Sequence, residues 1–164
     1  MLKPKSNKSI GLVYITGFTA YGPCTQRMKY SILIVDDDDD DFVLFTEHVK
    51  HCQQNLILSF AENGVGAIKK LTEGVRPHLI LVDANMPIMN GYEFLVWLMK
   101  SPIYRRIPVI VWTGDMLDDE ITRYYEAGAN AVMLKPNALR SIESFCKRWF
   151  ELVQLPQIVS EDHA

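Results

Sequence analysis

Ile32-Leu33-Ile34-Val35-Asp36-Asp37-Asp38-Asp39-Asp40-Asp41 is a short apolar run followed without a break by six aspartates. The apolar half is rich in β-branched residues, the pattern of a strand buried on both faces of a parallel sheet. The first acids therefore fall at the carboxyl end of a strand, where open α/β sheets place their ligand sites. In an arbitrary place an acidic run is most simply a solvated loop or tail. Here three later runs of the same kind also end in reactive residues: Leu79-Ile80-Leu81-Val82 in Asp83, Val109-Ile110-Val111-Trp112 in Thr113, and Ala131-Val132-Met133-Leu134 in Lys135. Four strand ends thus supply acids, an acid, a hydroxyl and an amine, and clustered carboxylates suit a hard cation.

Between these runs the period becomes helical. Phe42, Phe45, Val49 and Cys52 recur at helical spacing on a helix opened by the aspartates, whose charge suits the helix dipole. Leu56 to Phe60 reads as a second strand, Glu62-Asn63-Gly64 as a turn, and Val65 to Leu71 as a short helix closed by Gly74. Gly91 opens a helix carrying Tyr92, Phe94, Leu95, Leu98 and Met99, which Ser101-Pro102 stops. Asp118 to Ala127 reads as a helix ended by Gly128, and a last helix runs from about Leu139 to Leu155. Five strand–helix units in a row predict an α/β fold, a doubly wound five-stranded parallel sheet with right-handed crossovers and helices on both faces. Strand ends converge in such a sheet, so Asp36, Asp37, Asp83, Thr113 and Lys135 are candidates for one pocket.

The length of 164 residues suits one domain with a real core. A net charge of −3 with scattered basic residues leaves no nucleic-acid footprint, and the apolar runs are too short to span a bilayer. Cys24, Cys52 and Cys146 are odd in number and widely spaced, which fits a reducing, cytoplasmic compartment. Lys3, Lys5 and Lys8 before Ile10 to Ala20 superficially suggest a signal peptide, but Tyr14, Thr16, Gly17 and Thr19 interrupt the apolar part and Pro23 precedes Cys24. Met28 stands just ahead of the first clear strand. Residues 1–28 are therefore read as an N-terminal extension, mobile or an unused upstream start, residues 29–155 as the domain, and 156–164 as a C-terminal tail.

Several features have simpler readings than function. His48 and His51 lie three apart on a helix, but no third ligand is evident and solvent-facing histidines are commoner. Trp97, Trp112 and Trp149 read as packing residues. Asn90-Gly91 is what many turns use, since both residues tolerate positive φ. Asp36, Asp38, Asp40 and Glu47 occupy EF-hand positions one, three, five and twelve, yet the sixth is Asp41 where that loop needs glycine, and no helix precedes it.

Combined with Met86-Pro87-Ile88-Met89-Asn90-Gly91 after Asp83, and with Lys135-Pro136, the strand-end residues resemble the receiver domain of two-component response regulators over Tyr30 to about Leu152. Each element alone is weak; the order and spacing together are specific. The resemblance implies a flavodoxin-like sheet of strand order 2-1-3-4-5. It also implies a signalling protein, not an enzyme in the usual sense, that accepts a phosphoryl group from a histidine kinase or histidine phosphotransfer protein. By that resemblance Asp83 is the phosphoacceptor, and Thr113 and Lys135 bind phosphoryl oxygens. Two anions repel, so a carboxylate nucleophile meeting a phosphoryl group needs positive charge on both. Magnesium supplies part of it, with Asp36, Asp37, Asp83 and the backbone carbonyl of Asn85 as ligands, and no other cofactor is implied. Asp38 to Asp41 are expected mainly to strengthen the field around the metal. Gly114 leaves room for the phosphoryl group, while Asn85 and Asp115 border the path of the hydrolytic water and tune dephosphorylation.

The chain also departs from the family. Val132 stands three positions before Lys135, where many receivers carry the aromatic residue of their switch. Signalling is expected instead to run from Thr113 through the loop of residues 114–119. Only one helix and a short tail follow Lys135, so the output is expected to be a surface that binds a downstream protein or passes the phosphoryl group on, with a homodimer also allowed. Asp38 to Asp41, Tyr104-Arg105-Arg106-Ile107-Pro108 and Trp149-Phe150 resemble the small receivers that partner bacterial phytochrome-type kinases. Two rivals remain at this point. A haloacid-dehalogenase-like phosphatase also uses a first-strand Asp with later Thr and Lys, but the late acidic pair it needs is missing between Lys135 and the tail. A degenerate receiver that only binds partners would not need the full set of side chains found here.

Overall fold

The structure of the protein, a computed structural model, describes residues 13–15, 29–49, 55–114 and 116–135. The last predicted helix, the C-terminal tail, Asp115, Pro136, His51, all three cysteines and Trp149 lie outside these residues, as does the side chain of His48. The elements are β1 (Val13–Ile15), β2 (Lys29–Val35), α1 (Asp39–Val49), β3 (Asn55–Ala61), α2 (Gly64–Thr72), β4 (Leu79–Asp83), α3 (Gly91–Lys100), a 3-10 turn (Tyr104–Arg106), β5 (Val109–Thr113), α4 (Asp118–Glu126) and β6 (Ala131–Leu134).

The sheet runs β1-β3-β2-β4-β5-β6. All pairings from β2 to β6 are parallel, so the five expected strands lie in the order 2-1-3-4-5 when counted among themselves. β1 is an addition. Val13, Tyr14 and Ile15 pair antiparallel with Leu58, Ile57 and Leu56 on the outer edge of β3, so three residues of the segment read as an extension join the sheet. A strand of three residues spans less than two alternation periods, too short a pattern to recognise in sequence.

Side-chain alternation along each strand builds two cores. Leu33, Val35, Ile80, Val82, Val109 and Val111 pack with Ala67, Leu71, Phe94, Leu98 and Tyr124 from α2, α3 and α4. The intervening residues Ile32, Ile34, Leu79, Leu81, Ile110 and Trp112 pack with Phe42, Phe45 and Val49 of α1. Both sheet faces are therefore buried, which is why β4 and β5 read as continuous apolar runs rather than alternating ones. Trp97 stacks between Phe94 and Tyr104 at 6.4 and 5.4 Å between ring centroids, and Trp112 meets Phe45 edge-on at 5.9 Å. Among the described residues no helix is long and apolar enough to cross a membrane.

Candidate functional site

Strand register brings the candidate residues together. Val35 is paired with Val82, Asp83 with Trp112, and Thr113 with Leu134, so the residues that follow or end these strands reach one edge of the sheet. The Lys135 backbone N–H donates to the Thr113 carbonyl at 2.6 Å and fixes the start of the lysine's course. Its Nζ lies 2.8 Å from Asp36 Oδ2, 2.8 Å from Asp83 Oδ2 and 2.8 Å from Asp41 Oδ2. Asp36, Asp83 and Thr113 are buried, whereas Asp37 and Asn85 are exposed.

The backbone holds the two buried acids in place. Asp36 Oδ1 accepts from the Asp38 N–H at 3.0 Å, and Asp83 Oδ1 accepts from the Asn85 N–H at 3.2 Å. Burial pushes the Asp36 carboxyl up to about 6, against the lowering influence of Lys135 and of the Asp38 N–H. Burial alone would depress the Lys135 ammonium, but its hydrogen bonds to Asp36, Asp41 and Asp83 outweigh that and hold it above its ordinary value. Lys135 is therefore a fixed positive charge at any physiological pH.

Gly91 secures the Asp83 loop in a way that the sequence reading did not foresee. Neither Asn90 nor Gly91 has positive φ; Asn90 caps α3, with its Oδ1 accepting from the Glu93 N–H at 2.9 Å and Glu93 Oε2 accepting from the Asn90 N–H at 3.0 Å. A Cβ on Gly91 would stand 2.2 Å from the Asp83 carbonyl oxygen, so only glycine lets α3 start this close to the strand end. The Gly91 N–H also donates to the Ala84 carbonyl at 3.1 Å. At Gly114 a Cβ would meet nothing within 4 Å among the described residues.

Carboxylate oxygens of Asp36, Asp37 and Asp83 can all lie within 4.8 Å of one another. Three hard oxygen donors from two strand ends fit an octahedral divalent cation such as magnesium or manganese, which keeps several water ligands beside its carboxylates. Asp36, Asp37, Asp83, Asn85, Thr113 and Lys135 are thus all on the same edge, as the sequence suggests, while Asp115 falls outside the described residues. Val132 packs partly buried against the core formed with α2, α3 and α4, as an aliphatic residue in place of an aromatic one.

Two residues were not singled out from sequence. Asp41 was read as part of the general field, yet it pairs directly with Lys135. Its position in the first turn of α1 was the available signal, since that turn starts beside the strand end. Tyr124 of α4 is buried and its hydroxyl donates to the Ala84 carbonyl at 3.4 Å, directly after Asp83. Burial first, and the charge of Asp83 second, push this phenol up to about 12. Its ring stands edge-on to Tyr92 at 5.7 Å, and Arg123 covers the other aromatic partner at 3.8 Å from the Tyr92 centroid.

A family model described as the response regulator receiver domain matches residues 32–147, and the chain belongs to this family, the receivers of two-component signalling. Among its relatives, Response regulator Rcp1 of Synechocystis sp. (strain ATCC 27184 / PCC 6803 / Kazusa) is 33% identical over 138 residues, covering 76% of this chain and 92% of that protein. The polar-differentiation response regulator DivK of Brucella anthropi is 31% identical, covering 66% of this chain and 86% of that protein. Among solved structures, the Mn(2+)-bound form of Rcp1 superimposes with a TM-score of 0.72 at 29% identity, over 78% of this chain and 99% of that one. The phosphorylated cyanobacterial phytochrome response regulator RcpA does so with a TM-score of 0.73 at 25% identity, over 79% of this chain and all of that one (100%).

Proposed function

We propose that Asp83 accepts a phosphoryl group from the phosphohistidine of a kinase or phosphotransfer protein, and that the phosphorylated domain signals through a changed protein-binding surface or onward transfer. The observation that carries this reading is Lys135 Nζ at 2.8 Å from Asp83 Oδ2, inside a carboxylate cluster fit for a divalent cation. An Asp83 carboxylate oxygen attacks phosphorus, the phosphorus–nitrogen bond breaks, and the imidazole leaves and takes its proton from solvent. Lys135 neutralises negative charge on the transferred group, and the buried Thr113 lies one residue beyond the paired Asp83 and Trp112, in reach of the same centre. Magnesium, held by Asp36, Asp37, Asp83 and the Asn85 carbonyl, would supply the remaining positive charge. Asn85 borders the path of the water that ends the signal, and Asp115, outside the described residues, is assigned to the same step by the family resemblance. The manganese of the Rcp1 structure, the phosphorylation of RcpA and the phytochrome system named for RcpA support this assignment and a sensory histidine kinase as the partner. Cysteine usage supports a cytoplasmic setting.

A small phosphodonor with magnesium tests the reading against the phosphatase alternative. The phosphoacceptor takes up one phosphoryl group per chain and loses it slowly, whereas a hydrolase turns donor over continuously. Lys135→Ala should still be labelled, but more slowly.

A further inference from the structure

The three partners of Lys135 are unequal. An ammonium has three N–H donors. With Asp36, Asp41 and Asp83 each at 2.8 Å, all three are engaged, so Lys135 can bind a phosphoryl oxygen only by giving up one of them. The Asp36 and Asp83 side chains are 4% and 10% exposed, and each also accepts a backbone N–H. The Asp41 side chain is 34% exposed, on the first turn of α1. A carboxylate that can turn into water recovers its hydration on release, whereas a buried one is left uncompensated.

We propose that Asp41 is the resting partner that Lys135 exchanges for a phosphoryl oxygen, which makes Asp41 a positioning residue for the transfer. This rests on the phosphoacceptor reading above. The exchange is non-covalent: one N–H···O contact to carboxylate is broken and one to the phosphoryl group is made. Asp41 has a second effect through its charge. It favours a cation in the site and opposes an anion, so its removal shifts the two affinities in opposite directions. Asp36, Asp41 and Asp83 line, together with Phe45 and Trp112, a cavity of about 10 Å³, roughly the space of one water. Trp112 therefore shares a pocket with Asp41, and its emission, read with Trp97→Phe and Trp149→Phe as background, gives a readout that does not depend on phosphorylation.

The test uses the full chain, Asp41→Asn and Asp41→Glu, titrated first with magnesium alone and then with beryllofluoride at saturating magnesium. Calorimetry and Trp112 emission provide the readouts. Asp41→Asn is expected to bind magnesium about fivefold more weakly and beryllofluoride about fivefold more tightly, the effect of one charge near 4 Å at the dielectric constant of water. Asp41→Glu should return both toward the parent. A joint fall in both affinities marks a merely structural role and overturns the inference, as does unchanged or weaker beryllofluoride binding. If the unaltered protein binds no beryllofluoride, the phosphoacceptor reading itself fails, and this inference with it.

Discussion

Asp36 is 3% exposed and its carboxyl is pushed up to about 6 chiefly by burial, so its ionisation works against folding. The sign follows from proton binding: between pH 4 and 6 the folded chain holds a proton on Asp36 that the unfolded chain has released, and stability falls as pH rises through this window. The carboxyl moves from its ordinary value of 3.8 to about 6, so most of the loss falls within this window. Thermal melting in chelator should show this decline, Asp36→Asn should remove it, and millimolar magnesium should offset it by binding the charged form. A flat profile in chelator, or no shift with magnesium, would count against the site. Ile88 presents a different strain. It is the one non-glycine residue with positive φ among those described, at 71°, and it is 82% exposed, so its side chain contributes little packing to offset the backbone cost. Ile88→Asn should raise stability by about 1 kcal/mol, measured by denaturant melting. Asp36, Asp83, Thr113 and Lys135 were legible in sequence because each stands at the end of an apolar run. Asp41 was legible only in part: a first helical turn beside the strand end was the signal, but among identical acids the string does not say which one that turn brings to the lysine. Tyr124 was missed because a tyrosine on an amphipathic helix reads as core, and only tertiary packing sets it against Ala84.

At the scale of elements, the start of α3 is locked to the end of β4. The capping box of Asn90 and Glu93 sets where the helix begins, and Gly91 lets it begin against the Asp83 carbonyl. The sequence shows the turn, with Asn90-Gly91 explained by tolerance of positive φ; a close backbone approach leaves no trace in a single sequence. Gly91→Ala forces the 2.2 Å approach apart, so it should destabilise the domain by about 1–3 kcal/mol. It should also slow labelling out of proportion to the stability lost, because the nucleophile moves. Normal labelling with normal melting would show that the strand end yields more easily than this geometry implies. β1 was the other element beyond sequence reading, whereas β2, β4 and β5 were plain because burial on both faces makes their sequences apolar throughout.

For the molecule as a whole, the five parallel strands and the segments that follow their ends hold the candidate site, and all lie after Met28, while β1 pairs along the outer edge of β3. A chain beginning at Met28 should therefore fold and be labelled as fast as the full chain. Its melting temperature should be a few degrees lower, since the backbone groups along Leu56, Ile57 and Leu58 lose their partners. An insoluble product would instead mean that residues 1–27 belong to the domain. The decisive measurement is peptide mapping by mass spectrometry after treatment with a phosphodonor and magnesium. A single added phosphoryl group should appear on the peptide containing Asp83 and be absent both from Asp83→Asn and when magnesium is chelated. A phosphoryl group on any other residue, or its persistence in Asp83→Asn, would contradict the assignment of Asp83 as the acceptor.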